Sequence, residues 1–548
     1  MQTWRLLGVE QALDEPDAQL HARALERLGL ERGDVLGVRI ARRALDARRE
    51  RGGLRFVCHV DVALAGRPTP AMRRAERSGR LRPVAPPASL DATEVDPALR
   101  GARVAVVGSG PAGVFAARVL AGAGARVQVL ERGARLEERG RRVVRFHRRR
   151  EPDPETNLLF GEGGAGTYSD GKLYTRVDDP LEVPILEELV ACGAPPEILF
   201  DGRAHIGTDR LHRLLPRLRA RLEELGVEFL WETRLEGLVL EAGPPARVRA
   251  LRTSRGEIAC DALVLATGHS ARDTWRALAA QGVPFEAKPF QLGSRVEHPQ
   301  ELVTRACYGT GPEAQVLGAA AYSLAHRAGA GHAAAHSFCM CPGGRIVASV
   351  NEPGALCTNG MSNSRHSSRW ANAALVTTLG PDDFAARGSS PFAGVELQRE
   401  LEARFFEAGG GDYTAPAQRV ADFLAGRESG GDLASSYIFG ARPARLDKLL
   451  PGRVTAALRA ALSAFERRIP GFAGPQGLFV GIESRSSGPV RIPRDERRRA
   501  RGFANLFPVG EGAGYAGGIT SAAIDGARSA LALLRGSAAR RAPTHGLH

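Results

Sequence analysis

The apolar positions of this chain change period several times, and each change marks an element. Thr3–Val9 alternates apolar and polar residues and predicts a strand. Asp17–Leu28 carries its apolar residues at helical spacing, and Asp34–Ala41 and Leu54–Leu64 return to strand character. These elements predict a small α+β module over residues 1–95. The basic stretch Arg42–Gly53 reads as its solvated hairpin end, and Arg67–Arg100, rich in Pro, Arg and Ala, as a linker on the surface that ends at 100. A β-branched run, Val104–Val107, then enters a glycine turn, an Ala-rich helix follows, and Val127–Leu130 is a second apolar strand. Leu235–Leu240 and Val248–Thr253, split by Gly243-Pro-Pro245, predict a hairpin or meander before the wholly apolar Ala262–Leu265. A last apolar run, Leu506–Val509, leads into the helical pattern Thr520–Ala527.

The glycine turn carries chemistry. Gly108-Ser-Gly110-Pro111-Ala112-Gly113 lies between a strand and a helix, and Glu131-Arg132 closes the next strand, 23 residues after Gly108. This is the pattern of a βαβ dinucleotide site. Gly108 permits the turn, Gly110 lets the backbone approach a pyrophosphate, and Gly113 lets helix and strand pack. The helix start offers free N–H groups to phosphate, and Glu131 can accept from ribose hydroxyls.

Two later stations favour FAD over NAD. One is the strand ending in Ala266-Thr267-Gly268. The other is the return through Gly510-Glu511-Gly512-Ala-Gly514-Tyr-Ala-Gly517-Gly518-Ile519 into a helix. A nicotinamide domain does not need these distant returns, whereas a flavin domain of the glutathione-reductase type uses them to cover the ribityl chain and ring. Only one complete GxGxxG unit is visible, so no separate NAD(P)H domain is predicted. The loop Phe160–Leu173 holds glycines 161, 163, 164, 166 and 171. That density suits close backbone approach to a ligand or positive φ, which makes Gly163, Gly164 and Gly166 cofactor candidates, together with Leu235. Lys172 is placed to reach the flavin ring, where a cation would stabilise the anionic reduced form; a plain ion pair with Asp170 is the other reading.

With these stations the chain resembles a bacterial family of FAD-dependent dehydrogenases or oxidoreductases whose substrate is unassigned. The resemblance covers nearly the whole length and rests on Phe160–Leu173, Ala266–Asp273, Phe338-Cys-Met-Cys-Pro-Gly-Gly344, Asn359–Ser362, Glu483–Ile492 and Gly510–Ile519. Tyr168 and Ser484 stand where Phe and Thr are expected, both mild departures. The family implies FAD and supplies no reaction.

Composition modifies the picture only slightly. At 548 residues the chain is too long for one core and predicts two or three domains. The net charge of +14 suggests nucleic acid, but Lys occurs only at 172, 288 and 448, so Arg supplies nearly all of it. With the excess of Ala and Gly this reads as coding bias, and no nucleic-acid partner is expected. The N-terminus lacks the pattern of a secretory signal, no apolar run is long enough for a bilayer, and seven scattered cysteines do not form a disulfide framework. A cytoplasmic protein without a membrane span is expected.

Three kinds of reactive residue remain. Cys339-Met-Cys341 can hold a soft metal, form a strained disulfide or supply a thiolate; without a companion pair zinc is improbable, and packing as small hydrophobes is favoured. His269 and His298 are candidates for proton transfer, although His269 is favoured as a strand-end cap. Arg295, Arg485 and Arg491 could bind a substrate carboxylate or form salt bridges. The expectation is an FAD-dependent oxidoreductase that moves hydride between flavin and a small molecule, with NAD(P)H as a candidate donor. Its alternatives are a flavin-dependent RNA-modifying protein and a reductase of polyisoprenoid double bonds. The predicted architecture is α/β: a Rossmann-like FAD-binding domain of glutathione-reductase type from 101–275 and 478–540, an inserted α+β substrate or cap domain at 276–477, and the N-terminal module.

Overall fold

The computed structural model describes residues 2–47, 53–173, 175, 177–202, 205–241 and 243–536. At its centre is a five-stranded sheet in the order Leu506–Pro508, Ala262–Leu265, Arg103–Val107, Arg126–Leu130, Glu228–Leu230, with every neighbouring pair parallel. A parallel sheet covered on both faces needs apolar residues at successive positions. Val104 and Val106 bury under helices Pro111–Gly122 and Ile519–Leu534. Ala105 and Val107 face the opposite side, where the three-stranded meander Leu235–Glu241, Arg247–Thr253, Gly256–Ala259 packs. The two helices touch closely, since a Cβ on Gly526 would lie 1.9 Å from the Ala112 carbonyl oxygen.

A second, seven-stranded sheet runs Ala325–His326, Ala335–Cys341, Trp370–Leu379, Phe290–Pro299, Leu478–Glu483, Ala415–Arg419, Ala441–Pro443. All pairs are antiparallel except the last. Helices Ala393–Ala408 and Gly452–Glu466 bury Leu401, Phe405, Leu458 and Phe465 with this sheet. The strand at 478, expected to open the return to the nucleotide domain, pairs here with Phe290–Pro299. The chain rejoins the first sheet only at Leu506. Apolar content could not separate the two, because both sheets take fully buried strands.

The N-terminal sheet is antiparallel in the order Val35–Asp46, Arg55–Leu64, Gln2–Gln11, Leu81–Val84. Helices Asp17–Leu28 and Pro70–Arg77 bury Leu20, Leu25 and Met72 in its core. The helix and strand at 70–84 lie inside the stretch expected to be a linker. Thr69 caps the helix by accepting from the Met72 N–H at 3.1 Å, and Leu81 supplies the core contact. Part of the basic turn, 48–52, lies outside the described residues, but Asp46 pairs with Arg55 across it as a hairpin requires. No helix among the described residues is long and apolar enough to cross a membrane.

Candidate functional site

The carboxyl ends of the parallel strands open into a cleft of about 1690 Å³ that reaches the edge of the second sheet. Val107, Leu130, Ala266 and Val509 line it from the first sheet, and Phe338, Cys339 and Glu483 from the second. Ligands of open α/β sheets bind at this end of the strands.

The glycine turn has the geometry its spacing predicts. Gly108 has φ +109°, and a Cβ there would meet the Ala266 carbonyl oxygen at 2.3 Å. A Cβ on Gly113 would lie 1.9 Å from the Gly108 oxygen, so this glycine serves helix packing behind the cleft wall. Gly110 differs: its φ of −72° is ordinary, and the nearest atom to an added Cβ is the Gly164 Cα at 3.9 Å. No side chain caps helix Pro111–Gly122, which leaves its first N–H groups for a ligand. Gly110, Pro111 and Ala112 all line the cleft.

Glu131 and Arg132 stand at one end. Both Glu131 oxygens accept from protein: Oε2 from the Ser109 N–H and hydroxyl, Oε1 from the N–H groups of Gly133 and Gly161, at 2.7–3.0 Å. A ribose hydroxyl would therefore share these acceptors or turn the Ser109 hydroxyl away. Arg132 is clamped by Glu155 and Asp273 and lies 4.3 Å over the Phe160 ring. Leu235 lines the same end.

The glycine-rich loop turns through positive φ at Gly161, Gly163 and Gly164 and lies against the first turn, with a Gly164 Cβ 3.2 Å from the Gly110 Cα. Gly164 and Gly166 line the cleft, whereas Gly163 points behind it toward Leu215 and Thr167. The loop is held by a residue that sequence reasoning missed. Arg139, wholly buried, donates to the carbonyls of Asn157, Glu162 and Gly164 and to the Thr167 hydroxyl at 2.6–3.0 Å. Burial brings its pKa down to about 10. An arginine on the apolar face of helix Leu136–Arg149 was the available signal.

Ala266, Thr267 and Gly268 line the cleft, as do Gly510, Glu511, Gly517, Gly518 and Ile519 from the C-terminal return. Asp525, in the C-terminal helix, fastens that return by accepting from the Gly510 N–H at 2.8 Å and from Arg494. The helix Ile519–Leu534 starts on Gly518 without a side-chain cap. A Cβ added at Gly517 or Gly518 would meet nothing within 4 Å. His269 Nε2 lies 3.6 Å from Glu511, and its Nδ1 is 2.9 Å from the Ser270 hydroxyl. Burial, with Arg485 and Arg272 near, pushes the His269 pKa down to about 4, and burial pushes Glu511 up to about 7. His269 is thus a neutral imidazole at neutral pH.

At the far end, Lys172 bonds Asp170 and the Met340 carbonyl. Burial opposes its charge, but the cysteine pair and Asp170 raise its pKa above the usual lysine range. Cys339 lines the cleft, and Cys341 lies buried behind it. One expected role needs correction, and one open choice is decided. His298 is fully buried away from the cleft; its Nε2 is bonded to the Phe472 carbonyl at 2.8 Å and its ring packs on Phe472, so it is a core residue. Arg295 and Arg485 are occupied by buried carboxylates: Arg295 by Glu483 at 3.0 Å, Arg485 by Glu402, which also receives both Arg272 nitrogens at 2.9 Å. Neither guanidinium is left for a substrate carboxylate. Arg491 is exposed, 5.4 Å over the Tyr515 ring.

A cleft at the strand ends, with three bare-glycine positions opening into it beside two uncapped helix starts, fits a dinucleotide drawn along both helices. Family models match FAD-binding proteins. Residues 101–149 match an FAD binding domain, 199–314 an FAD dependent oxidoreductase, and 289–486 an FAD-dependent protein, C-terminal domain-like. The protein is an enzyme, an FAD-dependent oxidoreductase with FAD as its cofactor. A protein of Clostridium beijerinckii described as uncharacterized is 37% identical over 528 residues, 96% of this chain and 97% of that one. The chain belongs to the family of FAD-dependent proteins that these matches define. Among solved structures, L-proline dehydrogenase from P. horikoshii is 13% identical at TM-score 0.35, covering 80% of this chain and 94% of that one. A variant of NikD, an unusual amino acid oxidase essential for nikkomycin biosynthesis, is 12% identical at TM-score 0.34, covering 82% and 99%. Neither the RNA-modifying nor the polyisoprenoid alternative finds support in these matches.

Proposed function

We propose that FAD lies along this cleft in a flavin domain of glutathione-reductase type, and that a small-molecule substrate exchanges hydride with it beside the second sheet. Bound flavin supplies the two-electron chemistry. The residues proposed to hold it are Glu131, Arg132 and Leu235 at the adenosine end, and Gly110–Ala112 with Gly164 at the pyrophosphate. Ala266–Gly268, Gly166, Gly510, Glu511 and Gly517–Ile519 would follow along the ribityl chain and ring. Gly108, Gly113 and Gly163 serve by shaping the backbone behind them. The flavin domain would comprise 101–275 and about 488–536, with the second sheet forming the substrate or cap domain between them.

The observation that carries this reading is that three segments, at 107–112, 266–274 and 509–522, line one cleft. The chain's own residues then have defined tasks. The start of helix Ile519–Leu534 directs positive potential into the cleft, and Lys172 adds a full cation near it. Glu511, with a pKa raised to about 7, can give or take a proton toward a bound group at neutral pH. An NAD(P)H donor and a small-molecule substrate would use the end lined by Cys339, Asn359 and Glu483.

Gly110→Val tests the placement. The structure leaves room for a Cβ at this position, its nearest neighbour being the Gly164 Cα at 3.9 Å, so the protein should fold while losing FAD on gel filtration. A folded variant that retains stoichiometric flavin at unchanged affinity would show that the pyrophosphate lies elsewhere. Anaerobic spectra of the parent protein with NADH, NADPH and a metabolite pool then identify the donor by bleaching of the flavin band.

A further inference from the structure

The strand Ala335–Cys341 breaks its register with Trp370–Leu379 between Phe338 and Cys341. Within the break Cys339 adopts φ +43°, a left-handed conformation that a non-glycine residue holds only when its surroundings enforce it. In a regular strand, side chains two apart stand roughly 6.7 Å from each other on one face, beyond the roughly 3.8 Å Cβ separation of a disulfide. The break removes that spacing. The Cys341 thiol points back at the Cys339 carbonyl at 3.4 Å, which brings the two sulfurs near each other.

Two cations enforce this turn. Arg295 donates to the Cys339 carbonyl at 2.7 Å and to Cys341 Sγ at 3.5 Å, and Lys172 donates to the Met340 carbonyl between the two cysteines. The Cys341 S–H, Lys172 and Arg295 together hold the Cys339 thiol below the ordinary range, and the same contact raises Cys341. One sulfur is thus poised as thiolate on the cleft wall, and the other as thiol behind it. Their position along the cleft is also defined. The Thr520 hydroxyl, in the first turn of the C-terminal helix, donates to the Leu173 carbonyl at 2.7 Å, next to Lys172. The pair therefore stands beside the start of the C-terminal helix. Packing alone explains none of this, since a buried Cys341 needs no charged neighbours and Cys339 is not fully buried.

We infer that Cys339 and Cys341 form a redox-active dithiol that exchanges two electrons with the flavin bound in this cleft. This rests on the proposed placement of FAD. In the oxidising direction the Cys339 thiolate and Cys341 thiol become a disulfide and release two electrons and one proton. Oxidised flavin takes up those electrons and that proton, so charge and atoms balance. In the other direction reduced flavin reopens the disulfide, and the dithiol serves an acceptor that can itself undergo thiol–disulfide exchange or reduction at the cleft mouth.

Two measurements on the full-length, FAD-loaded protein test the couple. Peptide mass mapping after mild diamide oxidation should find a Cys339–Cys341 linkage, and none after dithiothreitol. Anaerobic dithionite titration of the oxidised protein should consume four electrons per flavin, falling to two in Cys339→Ser and in Cys341→Ser. No linkage in the oxidised parent protein overturns the proposal whatever the variants do. A linkage with uptake of only two electrons overturns the exchange with flavin. A protein that cannot be loaded with FAD overturns the flavin placement first, and the mapping still reports on the dithiol.

Discussion

The sharpest consequence of the cleft geometry concerns Gly518, the residue on which the last helix begins. Its φ of 164° is extended backbone that any residue adopts, and an added Cβ meets no protein atom within 4 Å. Replacement by Asp therefore adds a charge without steric conflict in the protein. Asp is also a favoured residue at this position, because its carboxylate accepts from the first free N–H groups of a helix. Folding stability should hold or rise by a few tenths of a kcal/mol, roughly the difference between Gly and Asp at this position. The flavin should respond in the opposite sense, since the variant both consumes the N–H groups and places a negative charge where reduction collects negative charge. A charge at a helix terminus is worth roughly 0.3–2 kcal/mol. For a two-electron couple 1.4 kcal/mol corresponds to about 30 mV, so the midpoint potential should fall by roughly 10–40 mV. Spectroelectrochemistry against a dye of known potential measures it, with Gly518→Ala as the uncharged control. An Asp variant that binds FAD tightly at an unchanged potential would refute the claim that this helix start faces the flavin.

Three other outcomes follow from buried groups. Arg139→Met should leave four acceptors around the glycine loop without their donor, cost about 3–5 kcal/mol in denaturant unfolding and weaken FAD retention; equal stability would show that the loop supports itself. Glu511 has a folded pKa near 7, above its unfolded value of about 4.3, so it binds its proton more tightly when folded. Its contribution to stability is present below about pH 4 and is lost as pH rises through about 7. Glu511→Gln should flatten the fall in melting temperature of the flavin-free protein over that window, and parallel curves for the two proteins would contradict the assignment. His298→Asn should lower stability through the lost packing on Phe472 while leaving the flavin reduction rate within about twofold; a loss of turnover by orders of magnitude in a folded, flavin-loaded variant would restore it as a reacting residue.

Sequence alone determined the elements whose function is written in local backbone geometry. The turn from Val107 through Gly113 had to follow a buried strand and open a helix, because only glycine admits the carbonyl of Ala266 against Gly108 and that of Gly108 against Gly113. The meander before Ala262 and the helix after Gly518 were equally readable, since period and glycine placement specify them within about ten residues. Tertiary structure decided what depends on partners far along the chain. Whether the strand at 478 joins the first sheet or the second is a choice between two equally apolar environments, and pairing with Phe290–Pro299 makes it. The roles of Arg139, Arg295 and Arg485 depend on which carbonyls and carboxylates surround them after folding, and His298 was settled by the Phe472 ring and carbonyl. Cys339 illustrates the limit best. A Cys-Met-Cys run without a companion pair reads as packing, because buried cysteines commonly serve as small hydrophobes. A break in register, enforced by Arg295 and by Lys172 from 168 residues away, turns one sulfur into the cleft and leaves its neighbour behind it. No local pattern encodes that break, since the charges that stabilise it are brought together only by the closing of the two sheets around the cleft.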